Sequence, residues 1–349
     1  MAPICRHLAA LSGYVPGEQP HVAGMVKLNT NENPYPPSPR VGEALAAFDW
    51  RTLRLYPDPV SSKARERVAR VCGCAPEQVF IANGSDEILA LFTRAFVEEG
   101  GSLGCFSPTY SLYPVLAAIR NAQCKPLPLN GDFTCPMPPP DFSDAFIWTN
   151  LNAPTSLLAA PETIAAFAKT YSGILLVDEA YVDFAPADCM ALAAAPDNAN
   201  VLVMRTLSKS YSLAGIRFGY CVGPKPLVDA LYVIKDSYNM DAVAQAVGLA
   251  ALEDAPHMRA NVAKILATRE RLARTLEARG WTVLPSATNF LFARPPEGVA
   301  AADLFAALRA EHVYVRYFPG ERTGAWLRIT VGSEPEVARL LEALAGQGA

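Results

Sequence analysis

The sequence predicts an α/β fold in which helices sandwich a mostly parallel sheet, followed by a smaller α+β domain. Short, continuously apolar runs recur between about residues 78 and 223, and such runs are typical of strands buried on both faces. Between them, apolar residues such as Ile88, Leu89 and Phe92 recur at helical spacing. After Gly223 the chain becomes rich in Ala, Leu and Arg, which indicates a change of architecture.

Taken in chain order, the elements begin with an extended arm over the first 35 residues, which hold several Pro and Gly. Long helices are predicted over 227–279 and a further helix near 302–310. The strand candidates are VFIA (79–82), LGCF (103–106), AFIW (145–148), ILLV (174–177), VLVM (201–204), FGYCVG (218–223), WTVLPSATNFLFAR, VYVRYF and WLRITV. We therefore predict an N-terminal arm (1–38) that packs on the small domain and a partner subunit, a large domain (39–254) and a small domain (255–349).

Composition excludes several classes of protein. The 349 residues are 51% hydrophobic and 18% charged, with a net charge of -4, which is typical of a folded globular protein. No Lys/Arg cluster is present to neutralise a row of phosphates, so we expect no nucleic-acid partner. We expect no membrane span and no export signal, and hence a cytoplasmic protein. The eight cysteines and four histidines are scattered, which predicts reduced thiols and no metal site.

The segment RTLSKSYSLAGIRFGY (205–220) carries the sharpest chemical signal. It places Lys209 in a hydroxyl-rich loop at the end of a strand, where a lysine loses its proton readily and can form an imine with an aldehyde. Thr206, Ser208 and Arg217 would bind a phosphate, because Arg offers a fixed fork of donors and the hydroxyls add hydrogen bonds. The alternative is an ordinary surface lysine in a polar loop.

A carboxylate lies 31 residues earlier, in GILLVDEAY. Asp178 follows an apolar strand, where an unpaired carboxylate is costly, so it needs a cationic partner such as a protonated pyridine nitrogen. Tyr181 would bond the 3-oxygen of the same ring. The alternative for Asp178 is a cap on the following turn.

Three further segments follow strands of the predicted sheet. In Asn83-Gly84-Ser85-Asp86, free backbone N–H groups at a helix start predict a phosphate cradle, with Ser85 or Asp86 as an ordinary N-cap the alternative. Tyr110 could stack on a flat heteroaromatic ring or simply pack in the core. Asn152 offers a hydrogen-bond donor at the edge where open α/β sheets collect ligands.

The order of these motifs resembles the fold-type-I aminotransferases, and within them most closely the histidinol-phosphate aminotransferase family. The resemblance spans nearly the whole chain and implies an aspartate-aminotransferase-like large domain. It rests on GYVPG (13–17), KLNTNENPYPPSP (27–39), YPDP (56–59), NGSDEIL, SPTYSLY, VDEAYVDF, RTLSKSYSLAGIRFGY, KDSYN (235–239), NFLF (289–292) and LRITVG (327–332).

The resemblance implies pyridoxal 5'-phosphate as cofactor and a role for each matching residue. Lys209 would form the Schiff base and shuttle the proton, and Asp178 would pair with the pyridine nitrogen. An obligate homodimer is also implied, because Tyr56 would reach the phosphate in the other subunit. The other cofactor contacts would be Gly84, Ser85, Asp86, Tyr110, Asn152, Tyr181, Thr206, Ser208 and Arg217, and the substrate contacts Tyr14, Asn33, Arg316, Arg322 and Arg328.

Two of these expectations have alternatives or departures. Arg328 would grip an acidic group of the substrate, the alternative being a surface charge at a strand edge. The family commonly has Asn-Pro-Thr-Gly where this chain has Ala153-Pro154-Thr155-Ser156. Either Asn152 replaces the missing asparagine or Tyr181 makes that contact alone, and Ser156 in place of glycine disfavours a positive φ.

The reaction that the resemblance implies is transamination of L-histidinol phosphate with 2-oxoglutarate, which gives imidazole acetol phosphate and glutamate in histidine biosynthesis. An aromatic-amino-acid aminotransferase and a threonine-phosphate decarboxylase share the motifs and remain alternatives. A ligand-sensing regulator would need an attached DNA-binding domain, and the first 35 residues are too short and Pro-rich for one.

Overall fold

The computed structural model describes residues 4–9 and 11–349. Short 3₁₀ helices cover Arg6–Leu8, Trp50–Arg54, Pro76–Gln78 and Val182–Phe184. The α-helices are α1 (Pro39–Ala47), α2 (Ser62–Cys72), α3 (Ser85–Phe96), α4 (Leu112–Ile119), α5 (Pro161–Thr170), α6 (Met190–Ala194), α7 (Lys225–Ile234), α8 (Ala242–Glu253), α9 (Ala255–Ala278), α10 (Ala301–Ala310) and α11 (Glu334–Gly346). The strands are β1 (Val26–Lys27), β2 (Val79–Asn83), β3 (Ser102–Ser107), β4 (Gln123–Pro128), β5 (Ala145–Thr149), β6 (Ile174–Asp178), β7 (Val201–Thr206), β8 (Phe218–Val222), β9 (Thr282–Val283), β10 (Phe290–Arg294), β11 (Val313–Tyr314), β12 (Arg316–Tyr317) and β13 (Leu327–Thr330).

Seven strands form the central sheet, in the order β2-β8-β7-β6-β5-β3-β4. Neighbours from β7 to β4 pair in parallel, whereas β8 runs antiparallel to both β2 and β7. This confirms the mostly parallel sheet predicted from the apolar runs. The sequence reasoning missed β4, whose Gln-Cys-Lys-Pro-Leu-Pro sequence holds two prolines. An edge strand tolerates them because it pairs on one side only.

Both faces of the sheet are buried, as the continuous apolar runs predict. Along β5, Phe146 and Trp148 belong to one hydrophobic cluster, whereas Ala145 and Ile147 between them belong to another. Adjacent residues of a strand point to opposite faces, so each cluster lies on one side of the sheet. Helices cover both sides, and α3 contributes Ile88, Leu89 and Phe92, all fully buried, to the second cluster.

A second, smaller sheet follows the long helices. Strands β12, β13, β10 and β9 pair antiparallel in that order, and the arm strand β1 pairs in parallel with β11. The segment VYVRYF, predicted as one strand, is divided between β11 and β12, which lie in different sheets. The reason is that its first half pairs with the arm and its second half with β13.

Helix α9 connects the two parts of the molecule. Its first half places Met258 and Val262 against Tyr181, whereas its second half places Leu272 and Leu276 in the cluster of the small sheet. The predicted domain boundary after residue 254 stays a prediction. Within residues 4–9 and 11–349, every helix is too short or too polar to cross a bilayer.

Candidate active site

A cavity of about 180 Å³ lies at the carboxyl ends of β5, β6 and β7, beside the first turn of α3. Ligands of open α/β sheets bind at this edge. The arm closes another side of the cavity with residues 29–31, and β12 and β13 add arginines from the small sheet. Twelve of the residues singled out in the sequence line it: Tyr14, Ser85, Asp86, Tyr110, Asp178, Tyr181, Thr206, Ser208, Lys209, Arg217, Arg316 and Arg328.

Lys209 follows β7 and extends its amine into the cavity. Its Nζ donates a hydrogen bond to the carbonyl oxygen of Thr30 at 3.1 Å. Burial lowers the pKa of Lys209 to about 8, the nearby guanidinium of Arg328 acts in the same sense, and Glu32 opposes them. A substantial fraction of the side chain is therefore neutral near pH 8, the state in which an amine acts as nucleophile or base.

Asp178 ends β6 and is 4% exposed. Its Oδ1 accepts from the backbone N–H of Ala180 at 3.0 Å and its Oδ2 from the hydroxyl of Tyr113 at 2.8 Å. The residue thus does cap the following turn, while still facing the cavity. Burial raises the pKa of Asp178 to about 6, since no cation among the described residues forms an ion pair with it. A ligand cation would relieve this penalty.

The first turn of α3 faces the same cavity and carries no side-chain cap. Its N-cap residue is Gly84, with a φ of 79°, so the alternative in which Ser85 or Asp86 is the N-cap is wrong. The turn packs closely on β8, because a Cβ on Gly219 would lie 2.7 Å from the carbonyl carbon of Gly84. Free N–H groups at a helix start attract anions.

Arg217 lies over this turn. Its Nη2 is 3.3 Å from Asp86 Oδ2 and its Nη1 is 3.4 Å from Ser208 Oγ. Ser208 Oγ in turn accepts from Thr206 Oγ1 at 2.9 Å. Guanidinium, hydroxyl and backbone donors are therefore concentrated at one end of the cavity, a donor set that matches a phosphate dianion.

Three tyrosines form much of the remaining wall. Tyr181 is buried and its hydroxyl accepts from Asn31 Nδ2 at 2.9 Å. The ring of Tyr110 lies 5.3 Å from that of Tyr14 in an edge-on arrangement, so the arm residue Tyr14 contacts the loop between β3 and α4. Tyr110 also packs on the core, as the alternative interpretation expects, whereas its stacking on a heteroaromatic ring stays a prediction.

Two arginines give the other end of the cavity a positive charge. Arg328 lies on β13, which pairs on both sides, so the strand-edge alternative is wrong. Its Nη2 donates to the carbonyl oxygen of Asn29 at 2.7 Å, while its Nε is buried without a hydrogen-bond partner in the described chain. The guanidinium lies 5.3 Å from the ring centres of Phe290 and Phe318. Arg316 also lines the cavity and is anchored to the carbonyl oxygen of Val15 at 3.2 Å.

Four predicted residues do not reach the cavity of their own chain. Asn33 donates to the carbonyl oxygen of Ser210, and Arg322 donates to two loop carbonyls at 129 and 130. Tyr56 is 81% exposed and stacks on Tyr238 at the surface. Asn152 is buried, and its Nδ2 already donates to Pro108 and Thr155, so it has no free donor for a ligand. A fifth predicted residue, Gly84, also does not line the cavity, although it lies beside Arg217.

The expectation that Ser156 avoids a positive φ is wrong. Its φ is 65°, and local hydrogen bonds offset the steric cost of that conformation. Its N–H donates to the carbonyl oxygen of Asn152 at 2.8 Å, and its Oγ lies 3.1 Å from that of Pro285. A serine therefore holds the turn that the family usually forms with glycine.

Sequence reasoning missed several lining residues and one buried neighbour. The cavity is also lined by Asn31, Thr109, Thr149 and Phe318. Tyr113, which does not line the cavity, donates a hydrogen bond to Asp178. Asn31 and Thr109 lie inside motifs that had been singled out. Tyr113, in SPTYSLY, carried no signal of its own, since a buried tyrosine is ordinary in a helix.

This chain is similar in sequence and in fold to known aminotransferases. The family model for aminotransferase class I and II matches residues 23–344. Histidinol-phosphate aminotransferase 1 of Bradyrhizobium diazoefficiens is 44% identical over 345 residues, covering 96% of both chains, and histidinol-phosphate aminotransferase 2 of Thiobacillus denitrificans is 44% identical over 97% of this chain and 95% of the other.

Among solved structures, histidinol-phosphate aminotransferase from Sinorhizobium meliloti in complex with pyridoxal-5'-phosphate has a TM-score of 0.83 and 25% identity. The match covers 92% of this chain and 91% of that one. The aminotransferase fold predicted from the sequence is thereby confirmed. With the family model and these relatives matching nearly its full length, the chain belongs to the class I and II aminotransferases.

Proposed function

We propose that the chain is a pyridoxal-phosphate-dependent aminotransferase that transfers the amino group of L-histidinol phosphate to 2-oxoglutarate. The observation that carries the proposal is the cavity between Lys209 and Asp178, with a phosphate-binding donor set at one end and arginines at the other. The choice of L-histidinol phosphate as substrate is supported by relatives named histidinol-phosphate aminotransferase, which are 42–44% identical over nearly the full chain.

The residues present fit the cofactor. Asp178 is a buried carboxylate that forms no ion pair with any residue that the structure describes, and a pyridinium nitrogen would provide a partner. The uncapped first turn of α3, with Arg217, Thr206 and Ser208, would hold the phosphate. Tyr181 would contact the 3-oxygen and Tyr110 the face of the ring. When bound, pyridoxal phosphate supplies an aldehyde and a ring that accepts electrons from the substrate.

The chain's own groups then perform three tasks. Lys209, with its pKa lowered to about 8, offers a neutral amine that would hold the cofactor's aldehyde and would serve as the base that moves a proton. Asp178 would keep the ring nitrogen protonated. Arg328, already desolvated and with a free Nε, receives an acidic group of either substrate.

Arg316, Tyr14 and the arm would close the site. Arg316 is held by the arm carbonyl of Val15, and Tyr14 contacts Tyr110, so the arm meets both β12 and the loop after β3 at the cavity. Closure of this kind excludes water and strengthens the contacts of the arginines with an anionic substrate. Asn33 and Arg322 would stabilise the closing segments instead of binding substrate, since both are hydrogen-bonded to chain carbonyls and neither lines the cavity.

A homodimer is part of the proposal. The segment 50–56 exposes Trp50 by 74%, Leu53 by 57% and Tyr56 by 81%, and several large apolar side chains exposed on one short segment favour a protein partner. In a dimer Tyr56 would approach the cofactor phosphate of the other subunit.

Light scattering tests the dimer by measuring the molar mass of wild-type and Leu53→Asp protein. The wild type should have twice the mass of one chain, and the variant should have a lower average molar mass. Cytoplasmic location stays a prediction.

The decisive experiment follows the absorption of bound cofactor in two half-reactions. L-Histidinol phosphate should convert the cofactor to its amine form, and 2-oxoglutarate should restore it. Three amines serve as controls: L-phenylalanine, threonine phosphate and L-histidinol, which differs from the proposed substrate only by lacking its phosphate. Each should convert the cofactor more slowly than L-histidinol phosphate does. If phenylalanine reacts fastest, or threonine phosphate releases carbon dioxide, the substrate assignment is wrong although the family assignment stands.

A further inference from the structure

A row of three hydroxyl groups connects Asp178 to the loop after β5. Tyr113 is fully buried on α4, and its hydroxyl lies 2.8 Å from both Asp178 Oδ2 and Thr149 Oγ1. Thr149 Oγ1 is 3.1 Å from Thr109 Oγ1, which is 2.7 Å from Asn152 Oδ1. We call Tyr113, Thr149 and Thr109 the hydroxyl chain.

The outer end of the hydroxyl chain has a fixed direction. Asn152 uses its Nδ2 hydrogens to reach the carbonyl oxygen of Pro108 at 3.0 Å and Thr155 Oγ1 at 2.9 Å. Its Oδ1 is therefore an acceptor, and only Thr109 supplies a side-chain donor to it among the described residues. Thr109 must give its single hydroxyl hydrogen to Asn152, away from Asp178.

The inner end has two possible directions, which depend on the charge of Asp178. Four contacts connect Asp178 to Asn152, but three hydroxyls own only three hydrogens. With an ionised Asp178, Tyr113 donates to the carboxylate and Thr149 to Tyr113, so the contact between Thr149 and Thr109 lacks a hydrogen. That contact is the longest of the four, at 3.1 Å. With a protonated Asp178, its own hydrogen supplies the fourth bond and Tyr113 and Thr149 both point the other way.

We infer that Tyr113 is a positioning residue, which holds the Asp178 carboxyl toward the cofactor's ring nitrogen through a hydroxyl chain that reverses when Asp178 changes charge. The inference rests on the proposed function, because the ring nitrogen is the partner of Asp178. With this arrangement, Asp178 Oδ2 keeps a hydrogen bond to Tyr113 whether the carboxyl group is ionised or protonated. A buried carboxyl group without this bond would pay the full penalty of an unsatisfied polar atom.

The electrostatics of the site agree with this role. Burial is the largest influence on Asp178 and raises its pKa to about 6, whereas the hydrogen bond from Tyr113 is the largest influence in the opposite direction. Removing the tyrosine hydroxyl should therefore raise the pKa of Asp178 further. Without its hydrogen bond to Oδ2, the carboxylate is also no longer held toward the ring nitrogen. A misplaced carboxylate is a weaker partner for a pyridinium ion, so the ring nitrogen should lose its proton at lower pH.

The test compares Tyr113→Phe with Tyr171→Phe. Tyr171 is a matched control because it is 4% exposed and donates a 2.7 Å hydrogen bond to the carbonyl oxygen of Ser143, yet does not line the cavity. Two quantities are measured: the dissociation constant of pyridoxal phosphate for the cofactor-free protein, and the pH dependence of the ¹⁵N signal of ring-labelled cofactor. Tyr113→Phe should raise the dissociation constant about tenfold, because an Asp178 carboxylate that is no longer held in place pairs less well with the ring nitrogen, and should lower the pH at which the ring nitrogen loses its proton. Tyr171→Phe should change neither.

A second pair of variants tests the hydroxyl chain without changing Tyr113. Thr149→Val removes the hydrogen that Thr149 gives to Tyr113 and should shift the ring-nitrogen titration in the same direction by a smaller amount, whereas Thr149→Ser should restore it. Wild-type titration in both Tyr113→Phe and Thr149→Val, with the cofactor bound, would overturn the inference and leave the proposed function intact. Failure of the wild type itself to bind pyridoxal phosphate would instead overturn the proposed function.

Discussion

Replacing Lys209 with methionine should make the cofactor-free protein more stable at neutral pH, although it abolishes catalysis. A pKa lowered from 10.5 to about 8 corresponds to about 3 kcal/mol against the charged form in the folded state. Lys209 is only partly buried, so water in the cavity screens part of this penalty. After that discount we expect a gain of about 2 kcal/mol in the free energy of unfolding.

The gain depends on pH in a defined direction. Below pH 8 the lysine is protonated in both folded and unfolded states, and the wild type bears the full penalty. Between pH 8 and 10.5 the unfolded state binds more protons than the folded state, so wild-type stability rises with pH. The advantage of Lys209→Met should therefore be constant below pH 8 and shrink as the pH approaches 10.5.

Urea unfolding of the cofactor-free protein at pH 7 and pH 9.5, at one fixed protein concentration, measures this difference. Lys63→Met is the control, because Lys63 is exposed on α2 and its charge carries no burial penalty. A Lys209 variant no more stable than wild type at pH 7, or one whose advantage is undiminished at pH 9.5, would refute the claim that burial of this amine lowers its pKa.

Three other substitutions have defined outcomes. Gly84→Ala places a Cβ 2.7 Å from Arg217 Nη2 at a residue with φ +79°. The dissociation constant of pyridoxal phosphate should therefore rise about tenfold or more, the effect of losing about 1.5 kcal/mol of binding free energy. Inorganic phosphate should also compete less well with pyridoxal phosphate for the variant than for the wild type. Arg205→Met removes the guanidinium 2.8 Å from the fully buried carboxylate of Glu179, which should cost about 3–5 kcal/mol of stability in urea unfolding; a loss below about 1 kcal/mol would contradict it. Arg328→Lys keeps the positive charge but loses the paired N–H donors of the guanidinium, so kcat/KM for histidinol phosphate should fall about tenfold or more in steady-state assays. Equal kcat/KM values for the variant and the wild type would contradict this role.

The sequence was sufficient for features that depend on local pattern. Continuous apolar runs predicted β2, β3, β5, β6, β7 and β8, because burial of both strand faces leaves no alternation. The position of Lys209 and Asp178 directly after two such runs placed them at one edge of the sheet. The edge strand β4 escaped prediction because its prolines and half-exposed residues resemble a loop.

Contacts between distant segments could not be predicted in this way. Tyr113 and Asp178 are 65 residues apart, and their hydrogen bond depends on how α4 packs against the sheet. The same holds for Asn152, whose amide donates to the carbonyl oxygen of Pro108, 44 residues earlier in the chain. Ser156 shows a further limit: the statistical preference against a positive φ is small enough for a few buried hydrogen bonds to override it.

The central claim is that Lys209 binds the cofactor covalently, and trapping that bond tests it most directly. The protein loaded with pyridoxal phosphate is reduced with borohydride, digested and analysed by mass spectrometry. We predict one reduced phosphopyridoxyl adduct, on the peptide that contains Lys209, and none on the Lys209→Met protein. An adduct chiefly on another lysine, or an undiminished yield from the variant, would contradict the account.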